Sequence, residues 1–493
     1  MELNLITHWT PPSGRLVEWT VSDHAARVAA EAAIDPALPS TIQERHLRRA
    51  AVTARTSAAQ SPWIGMAFEI EGPLDAPAMT RAIETYLRRH ETFASWFSFE
   101  DPDADPTDAG NPIRRHVVPA EGIELEPRII DEHASSEQIR KHVEHRFATG
   151  TSALSWPAFV FGAVEHDTGS GETGADAARF TVFHAVDHAH TDAQSMLLTF
   201  AELRTLYLAE VSGTPAELPD AGSFVEFSQQ EQERAKALTL ASPQVTGWLS
   251  HLAEHGGTLP SFPLDLGVED GPRPAVGSRF DLADPVQSAR FTEVAAAHGG
   301  NAIGAWFAAL AIVEHELAGR DRYLGLTPVG TRGADFAWSQ GWFINVIPVS
   351  FGLDGATSFS ELASRAREAY RGGRALADVS VHRVIDMVLA AAGDGASVAP
   401  STLSVPPIVS YLDVHRLPLD AATVAASHIT GLVGGKDTSI VSMWINQLHD
   451  STWIALSHPD TPAAHDSVSR YAERLGVIIR TVADTGDYTI GKG

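Results

Sequence analysis

The sequence predicts an α+β fold divided into two subdomains. Segments with strand-like alternation are mixed with helical segments, and several neighbouring strands lie close enough in sequence to form hairpins, which favours layered sheets over a series of βαβ units. The chain has 493 residues, more than one hydrophobic core usually accommodates. Residues 211–221 look like the connection that leads out of the first half, so we predict subdomains at 1–210 and 211–493.

In the first half, alternation predicts the strands, and apolar residues three or four positions apart predict the helices. In order, these are a helix at 76–90, strands at 93–99, 156–164 and 178–187, and a helix that begins near Thr191. The acidic stretch 101–112 is typical of a surface loop. The polar connection 166–177 would close a long hairpin, and Thr191 with Gln194 fits a capping box.

The second half continues the same mixture. A stretch rich in proline and glycine at 255–277 predicts a long surface connection. The expected helices lie at 285–298, 301–318, 359–371 and 462–482, and the expected strands lie near 323–329, 343–351, 405–412, 438–446 and 452–457. No repeat with a period of about 20–50 residues is visible, which argues against solenoids and propellers.

The composition is that of an acidic globular protein. Lysine and arginine number 36 against 62 aspartates and glutamates, a net charge of −26, which argues against nucleic-acid binding and adsorption to anionic lipid. The absence of cysteine excludes disulfides, thiolate metal sites and a cysteine nucleophile. The N-terminus does not resemble a secretory signal, and no apolar run reaches the roughly 18 residues of a membrane span. We expect a soluble, cytoplasmic protein.

The strongest basic run is Arg45–Arg49, with Arg55 close behind. An acidic partner protein would need a local patch of this kind. Such a run is more often the solvated face of a helix, and we expect a solvated face here.

The end of the strand at 178–187 carries the clearest chemical signal. The chain there reads Asp187-His188-Ala-His-Thr-Asp192-Ala193 and continues into an apolar-periodic helix. A histidine four residues before an aspartate, at a strand-to-helix turn, can present its imidazole from a rigid element while the aspartate holds the turn. This arrangement suits a general base, because the unperturbed pKa of histidine, about 6.5, lies near working pH.

On the residues alone, other interpretations of this run stay open. His188 could be a structural histidine, and Asp192 a carboxylate that stabilises a helix N-terminus. Crowding of His184, Asp187, His188, His190 and Asp192 also suggests a metal site, although His184 and Asp187 would point to opposite faces of the strand. The sequence has no Gly-x-Ser-x-Gly elbow and no Gly-x-x-x-x-Gly-Lys loop, which disfavours a serine hydrolase and a phosphate loop.

Four segments resemble, in order, the motifs of one superfamily. Asp187–Ala193 is similar to the His-His-x-x-x-Asp-Gly motif of the condensation-domain superfamily of acyltransferases, which includes peptide condensation domains and relatives of chloramphenicol acetyltransferase. Arg88–Phe97 resembles the early Arg-His-x-x-Leu-Arg-Thr-x-Phe segment. Gly341–Pro348 resembles the later Gly-x-Phe-Val-Asn-Thr-x-Pro segment, and Ala377–Val384 stands where the family has Val-Pro-Phe-Glu-x-Val.

Two further segments, Trp9–Gly14 and Gly222–Phe227, resemble the polyketide-synthase-associated acyltransferases of actinobacteria, which esterify glycolipid sugars. The resemblance implies two chloramphenicol-acetyltransferase-like subdomains in a V-shaped pseudo-dimer, with the active site at their junction. The subdomain 1–210 would carry the His-x-x-x-Asp motif, and 211–493 would be the second acyltransferase subdomain.

The resemblance also implies roles for single residues. His188 would be the general base that takes a proton from the acceptor as it attacks a thioester. Asp192 would pair with Arg332 and brace the turn without acting chemically. The candidates for oxyanion or substrate contacts are Ala193, Ser410, Trp342 and Asn345.

Neither a metal nor a cofactor is implied, because the co-substrate is the acyl thioester of CoA or of a phosphopantetheinyl carrier protein. The acceptor would be a small alcohol or a sugar. We expect no nucleic-acid partner and no transmembrane segment, and any contact with a membrane would be peripheral. The expected function is ester formation by a stand-alone acyltransferase in lipid, glycolipid or polyketide biosynthesis. An amide-forming condensation enzyme and a catalytically silent carrier-binding scaffold are the alternatives.

The chain departs from the family motif at two positions. Asp187 replaces the first histidine, which is not the proton-transfer residue of the family. Ala193 replaces the glycine. If this position needs a positive φ, the Cβ of alanine costs about 1 kcal/mol or more, whereas ordinary helical dihedrals make alanine harmless.

Overall fold

The computed structural model describes residues 2–56, 62–167, 178–392, 407–413, 421–448 and 451–491. Residues 168–177 of the predicted connection and residues 405–406 of a predicted strand lie outside the described residues. The strands, in chain order, are β1 (Glu2–Leu5), β2 (Gly14–Val21), β3 (Ala33–Asp35), β4 (Trp63–Glu71), β5 (Ser95–Phe99), β6 (Ile113–Val117), β7 (Leu125–Ala134), β8 (Phe159–His166), β9 (Arg179–Asp187), β10 (Arg273–Ala283), β11 (Arg322–Gly330), β12 (Ile344–Gly352), β13 (Val409–Asp413), β14 (Thr430–Val433), β15 (Asp437–Thr438), β16 (Ser442–Gln447) and β17 (Thr452–Pro459).

The helices, in chain order, are α1 (Asp23–Ala30), α2 (Thr41–Thr56), α3 (Ala76–Arg89), α4 (Ser136–Gly150), α5 (Ala193–Ser212), α6 (Phe224–Ala237), α7 (Pro243–Ala253), α8 (Pro285–Ala297), α9 (Ala302–Ala318), α10 (Phe359–Arg374), α11 (Val381–Ala392), α12 (Ala421–Ala426) and α13 (Pro462–Thr485). The predicted helices agree with these bounds to within three residues at each end. Two predicted strands of the first half begin later than expected, and in the second half β13 and β16 begin at Val409 and Ser442, later than the predicted 405 and 438. Residues Glu91–Ala94 form a short 3-10 turn before β5, and β8 begins only at Phe159 because Pro157 has no amide to donate.

The first compact unit comprises Met1–Lys236, Arg332–Phe343 and Leu419–Gly434. Its main sheet has the strand order β1-β14-β4-β9-β8-β2-β7, and a small sheet has the order β3-β6-β5. In the main sheet β1 and β14 are parallel, and the other neighbouring strands are antiparallel. Predominantly antiparallel sheets with helices packed on them confirm the predicted α+β class.

Strand β9 lies inside the main sheet, and both of its faces are covered. Phe180, Val182 and Val186 join a core built with residues of α3 and α5. Phe183 and Ala185, on the opposite face, join a second core built with residues of α4. A strand packed on both faces is rigid, and it therefore holds the His188 turn, which follows it directly.

The second compact unit comprises Ala237–Thr331, Ile344–Pro418 and Gly435–Gly493. It contains a five-stranded sheet of order β13-β16-β17-β10-β15 and the β11-β12 hairpin. Its main core includes residues of α8, α9, α10 and α13. Helix α9 is buried continuously from Gly304 to Glu314, which explains its almost entirely apolar sequence.

Residues 211–236, which the sequence prediction places in the second subdomain, belong to the first unit, and so do two later segments. One of these, Arg332–Phe343, connects β11 with β12. The functional division at residue 210 stays a prediction. The compact units themselves are discontinuous in sequence, which no local pattern reveals.

The basic run at the start of α2 is not the solvated face that we expected. His46, Leu47 and Arg48 are all buried. Arg48 donates to the carbonyl oxygens of Pro106, Asp108 and Asn111, and thereby holds the acidic loop at 101–112. Arg55 donates to two further carbonyl oxygens of this loop. Both guanidinium groups hold the loop, because the loop presents backbone acceptors to them.

Within the described residues, no single helix is both long and apolar enough to cross a membrane. Helices α8 and α9 satisfy the length and composition criteria only when they are counted together, and the pair is bent by 95° at its break.

Candidate active site

The His188 turn is fixed by hydrogen bonds at its first residues. Strand β9 ends at Asp187, opposite Trp63 of β4, and residues His188–His190 form one 3-10 turn. The Asp187 carboxylate caps this turn by accepting from the Ala189 amide at 2.8 Å. The His188 amide donates to the Pro62 carbonyl oxygen at 3.0 Å. The backbone that carries His188 is therefore held by both strand ends.

The His188 imidazole has a defined tautomer. Its Nδ1 lies 2.9 Å from the Thr191 carbonyl oxygen, and a carbonyl oxygen only accepts, so Nδ1 carries the proton and Nε2 keeps its lone pair. The ring stacks on the indole of Trp342, with centroids 3.9 Å apart and an interplanar angle of 26°. His188 is partly exposed. The geometry therefore provides an oriented imidazole with one basic nitrogen.

The electrostatics keep this imidazole neutral. Burial lowers the pKa of His188 to about 4, and the nearby His46 acts in the same direction. The carboxylates of Asp187 and Asp192 oppose this lowering of the His188 pKa but are outweighed. At neutral pH the group is therefore an unprotonated base.

Asp192 is the N-cap of α5 and lies within a dense buried network. Its Oδ1 accepts from the Ser195 amide at 2.7 Å and from Arg332 Nη2 at 3.3 Å. Its Oδ2 accepts from the Phe343 amide at 2.9 Å. The Asp192 and Arg332 side chains are 1% and 4% exposed. The predicted capping box is wrong, because the Asp192 carboxylate caps the helix while the carbonyl of Thr191 is bonded to His188.

Ser195 and Arg332 tie α5 to the segment before β12. Arg332 Nη2 donates to Ser195 Oγ at 2.7 Å, and Ser195 Oγ donates to the Gly341 carbonyl oxygen at 2.8 Å. The Arg332 guanidinium also lies over the Phe343 ring, 4.4 Å from its centroid. Gly341 has φ +153°, and a Cβ there would lie 2.3 Å from the Phe224 ring. This close approach explains the glycine of the Gly341–Pro348 segment.

Ala193, which replaces the motif glycine, is the first residue of α5 and is exposed. Its φ is not positive, since among the described non-glycine residues His428 alone has a positive φ. The alanine therefore introduces no backbone strain. Its amide belongs to the first turn of a helix, where amides lack intrahelical acceptors.

The structure brings His188, Asp192, Ala193, Arg332 and Trp342 together in the first unit. The other two candidate residues belong to the second unit. Asn345 is buried there and donates through Nδ2 to the Ala377 carbonyl oxygen at 2.6 Å, which links two of the family-like segments. Ser410 lies on β13, opposite Trp444 of β16.

The segment Arg88–Phe97 supports the turn and the helix that follows it. His90 Nε2 and Arg89 Nε lie 2.8 and 3.2 Å from Glu202 Oε2, and Glu202 is fully buried on α5. The Thr92 hydroxyl lies 3.0 Å from His190 Nδ1. Two segments that the sequence singles out separately are therefore hydrogen-bonded partners.

The sequence motifs do not identify three buried polar neighbours of these residues, His46, Ser195 and Glu202. His46 Nε2 lies 2.6 Å from Asp187 Oδ1, and both side chains are 1% exposed. A usable signal was the spacing of Gln43 and His46, which places two polar side chains on one face of α2. Among the described residues, no group of three or more histidine, aspartate or glutamate side chains could hold a metal ion.

The chain is similar to known acyltransferases over nearly its whole length. The condensation domain family model matches residues 37–386. Acyltransferase PapA3 of Mycobacterium tuberculosis is 31% identical over 496 residues, covering 99% of this chain and 98% of the relative. The 2'-acyl-2-O-sulfo-trehalose (hydroxy)phthioceranyltransferase PapA1 of Mycobacterium bovis is 30% identical over 497 residues, covering 99% of this chain and 89% of the relative.

Solved structures of related proteins are similar to this chain as well. The PapA2 acyl transferase superposes with a TM-score of 0.84 at 29% identity, covering 98% of this chain and all of that one. The condensation domain of the Monacolin K polyketide synthase MokA has a TM-score of 0.65 at 16% identity, with coverage of 93% and 100%. This second likeness concerns the fold alone.

Proposed function

The chain belongs to the condensation domain family and is an acyltransferase, and we propose that it forms an ester by moving an acyl group from a thioester to the hydroxyl of a sugar acceptor, with His188 as the general base. The relatives whose names state an acceptor act on sulfated trehalose, which supports a sugar. The thioester donor would be acyl-CoA or an acyl carrier protein. We also propose that the protein is cytoplasmic, as expected from its composition.

One observation carries the proposal: His188 is an oriented and neutral imidazole. Its Nδ1 proton is committed to the Thr191 carbonyl oxygen, and burial lowers its pKa to about 4. A base in this state needs no deprotonation before it can act at neutral pH.

The proposed step is a single acyl transfer. The acceptor oxygen attacks the thioester carbonyl carbon while its proton passes to His188 Nε2. The C–S bond then breaks, and the leaving thiolate takes the proton back from the imidazolium. Stacking on Trp342 favours the transient imidazolium through its interaction with the indole face, and the Ala193 amide is a candidate donor to the developing oxyanion.

The test is a donor and acceptor panel with purified protein. Donors of matched acyl length are presented as CoA and as carrier-protein thioesters, with sugar alcohols, simple alcohols and amines as acceptors. We expect thiol release that depends on a hydroxyl acceptor, and an ester detected by mass spectrometry. Amide as the main product would indicate a condensation enzyme. No transfer with any donor would support the scaffold alternative and contradict the proposal.

The pH dependence of kcat/KM should differ from that of an ordinary histidine base. Because the lowered pKa means that His188 binds a proton only near pH 4, its basic form persists throughout the neutral range. We expect a flat profile from about pH 8 to pH 5, with circular dichroism at each pH confirming that the protein remains folded. An acid limb centred near pH 6.5 would show that His188 is not held in the environment described here.

A further inference from the structure

We propose that His46, together with Asp187, positions His188. The inference rests on the proposed role of His188 as general base. His46 lies on α2, 141 positions before Asp187, so the contact is non-local in sequence.

The first route from His46 to His188 runs through Asp187. His46 Nε2 meets Asp187 Oδ1 at 2.6 Å, and the same oxygen accepts from the Ala189 amide at 2.8 Å. Asp187 Oδ2 accepts from the Ala153 amide at 3.2 Å. His188 is the residue between Asp187 and Ala189. A shift of this carboxylate would therefore displace the turn that carries the base.

The second route runs through Trp342. The His46 ring meets the Trp342 indole edge-on, with centroids 5.3 Å apart and an interplanar angle of 85°. The same indole stacks on His188 at 3.9 Å. His46 therefore supports the backbone of the turn through Asp187 and the His188 imidazole through Trp342.

Helix α2 makes the support rigid. Three residues before His46, Gln43 Nε2 donates to the Ala189 carbonyl oxygen at 2.7 Å. Gln43 and His46 thus hold the same turn from one face of the helix. Leu47 and Arg48 are buried beside them, which fixes the rotation of the helix about its axis.

His46 itself is placed to position rather than to react. Its side chain is 1% exposed, so it cannot touch a substrate in this arrangement. The Asp187 carboxylate is ionised, because, although burial alone would raise its pKa, His46 and the Ala189 amide lower the pKa to about 2. Removing His46 would take a hydrogen-bond partner away from this buried charge, and the carboxylate would shift towards its remaining contacts.

The test compares two substitutions that separate the parts of the contact. His46→Phe keeps a ring beside Trp342 but removes the donor to Asp187, whereas His46→Gln keeps an N–H donor. We expect His46→Phe to lower kcat by about 10- to 100-fold with KM nearly unchanged, since small displacements of a reacting group cost this much. His46→Gln should recover more than half of the loss on a logarithmic scale. Wild-type kcat in His46→Phe, a loss confined to KM, or no recovery in His46→Gln would each overturn the proposal.

Two controls make the result specific. His142→Phe breaks another histidine–carboxylate pair of the same unit, that with the buried Glu18, and should lower the melting temperature while leaving kcat per folded molecule within about twofold of wild type. If His46→Phe does not fold, Asp187→Asn disrupts the contact from the other side. The same loss of kcat is then expected, and an unchanged kcat would overturn the proposal.

A readout without substrate separates this inference from the proposed function. Nitrogen-15 NMR of ring-labelled histidine reports which nitrogen of His188 carries the proton, with the signals assigned by their absence in His188→Gln. We expect one Nδ1–H tautomer in the wild type and a mixture in His46→Phe. If His188→Gln retains turnover, the proposed function fails, whereas an unaltered tautomer in His46→Phe overturns the positioning role alone.

Discussion

His188→Ala is expected to lower kcat by about 10²- to 10⁴-fold, the usual contribution of a general base, while the protein stays folded. The alanine removes Nε2, the nitrogen that the Thr191 contact leaves basic. It also removes the ring that stacks on Trp342, which is a packing loss at a partly exposed position. Thiol release and ester formation, measured on the same samples, would report the loss.

His24→Ala is the matched control, because His24 is an exposed histidine on α1. We expect its turnover to equal that of the wild type. If His188→Ala released thiol and formed ester at the wild-type rate, His188 would not be the base. A loss of ester with thiol release preserved would instead mean that water had replaced the acceptor.

Asp192→Ala should destabilise the protein by about 3–5 kcal/mol, the cost of breaking a buried ion pair by removing one partner. The substitution leaves the Arg332 guanidinium, the Ser195 amide and the Phe343 amide without their shared acceptor. It also removes the cap of α5, which alone is worth about 1 kcal/mol. Urea unfolding at pH 7 would measure the loss.

The companion measurement is activity per folded molecule. Because Asp192 does not touch the reacting atoms in the proposed step, kcat corrected for the folded fraction should fall less than it does in His188→Ala. Asp192→Asn keeps the size of the side chain and one carbonyl oxygen, so we expect an intermediate stability. Normal unfolding combined with abolished turnover in Asp192→Ala would contradict the bracing role.

The local features of the site could be predicted from the sequence. The alternation of apolar residues before His188 predicts β9, and the helical spacing of apolar residues after Asp192 predicts α5. Both patterns follow from the geometry of the element, which sets how often a side chain returns to the buried face. The pairing of Asp192 with Arg332 was implied by family resemblance, and the structure contains it at 3.3 Å. No rule of spacing would have chosen Arg332 among the arginines of the chain.

The support around the site could not be predicted, because it depends on which surfaces meet. The burial of His46 and Arg48 follows from the Asp187 carboxylate and from the carbonyl oxygens of the 101–112 loop. A basic run alone gives no sign of these partners. The sequence also leaves open whether Ala193 strains the backbone. Its φ, which is not positive, shows that it does not.

The position of Arg332–Phe343 in the chain has a consequence for synthesis on the ribosome. Asp192 leaves the ribosome 140 residues before its partner Arg332, which at about 5–20 residues per second is a delay of about 7–28 seconds. During this interval the N-terminal part of the first unit has the helix that Asp192 caps but neither the guanidinium nor the Phe343 amide. We therefore expect the His188 turn of the nascent chain to lack these stabilising contacts until the β11–β12 connection has emerged.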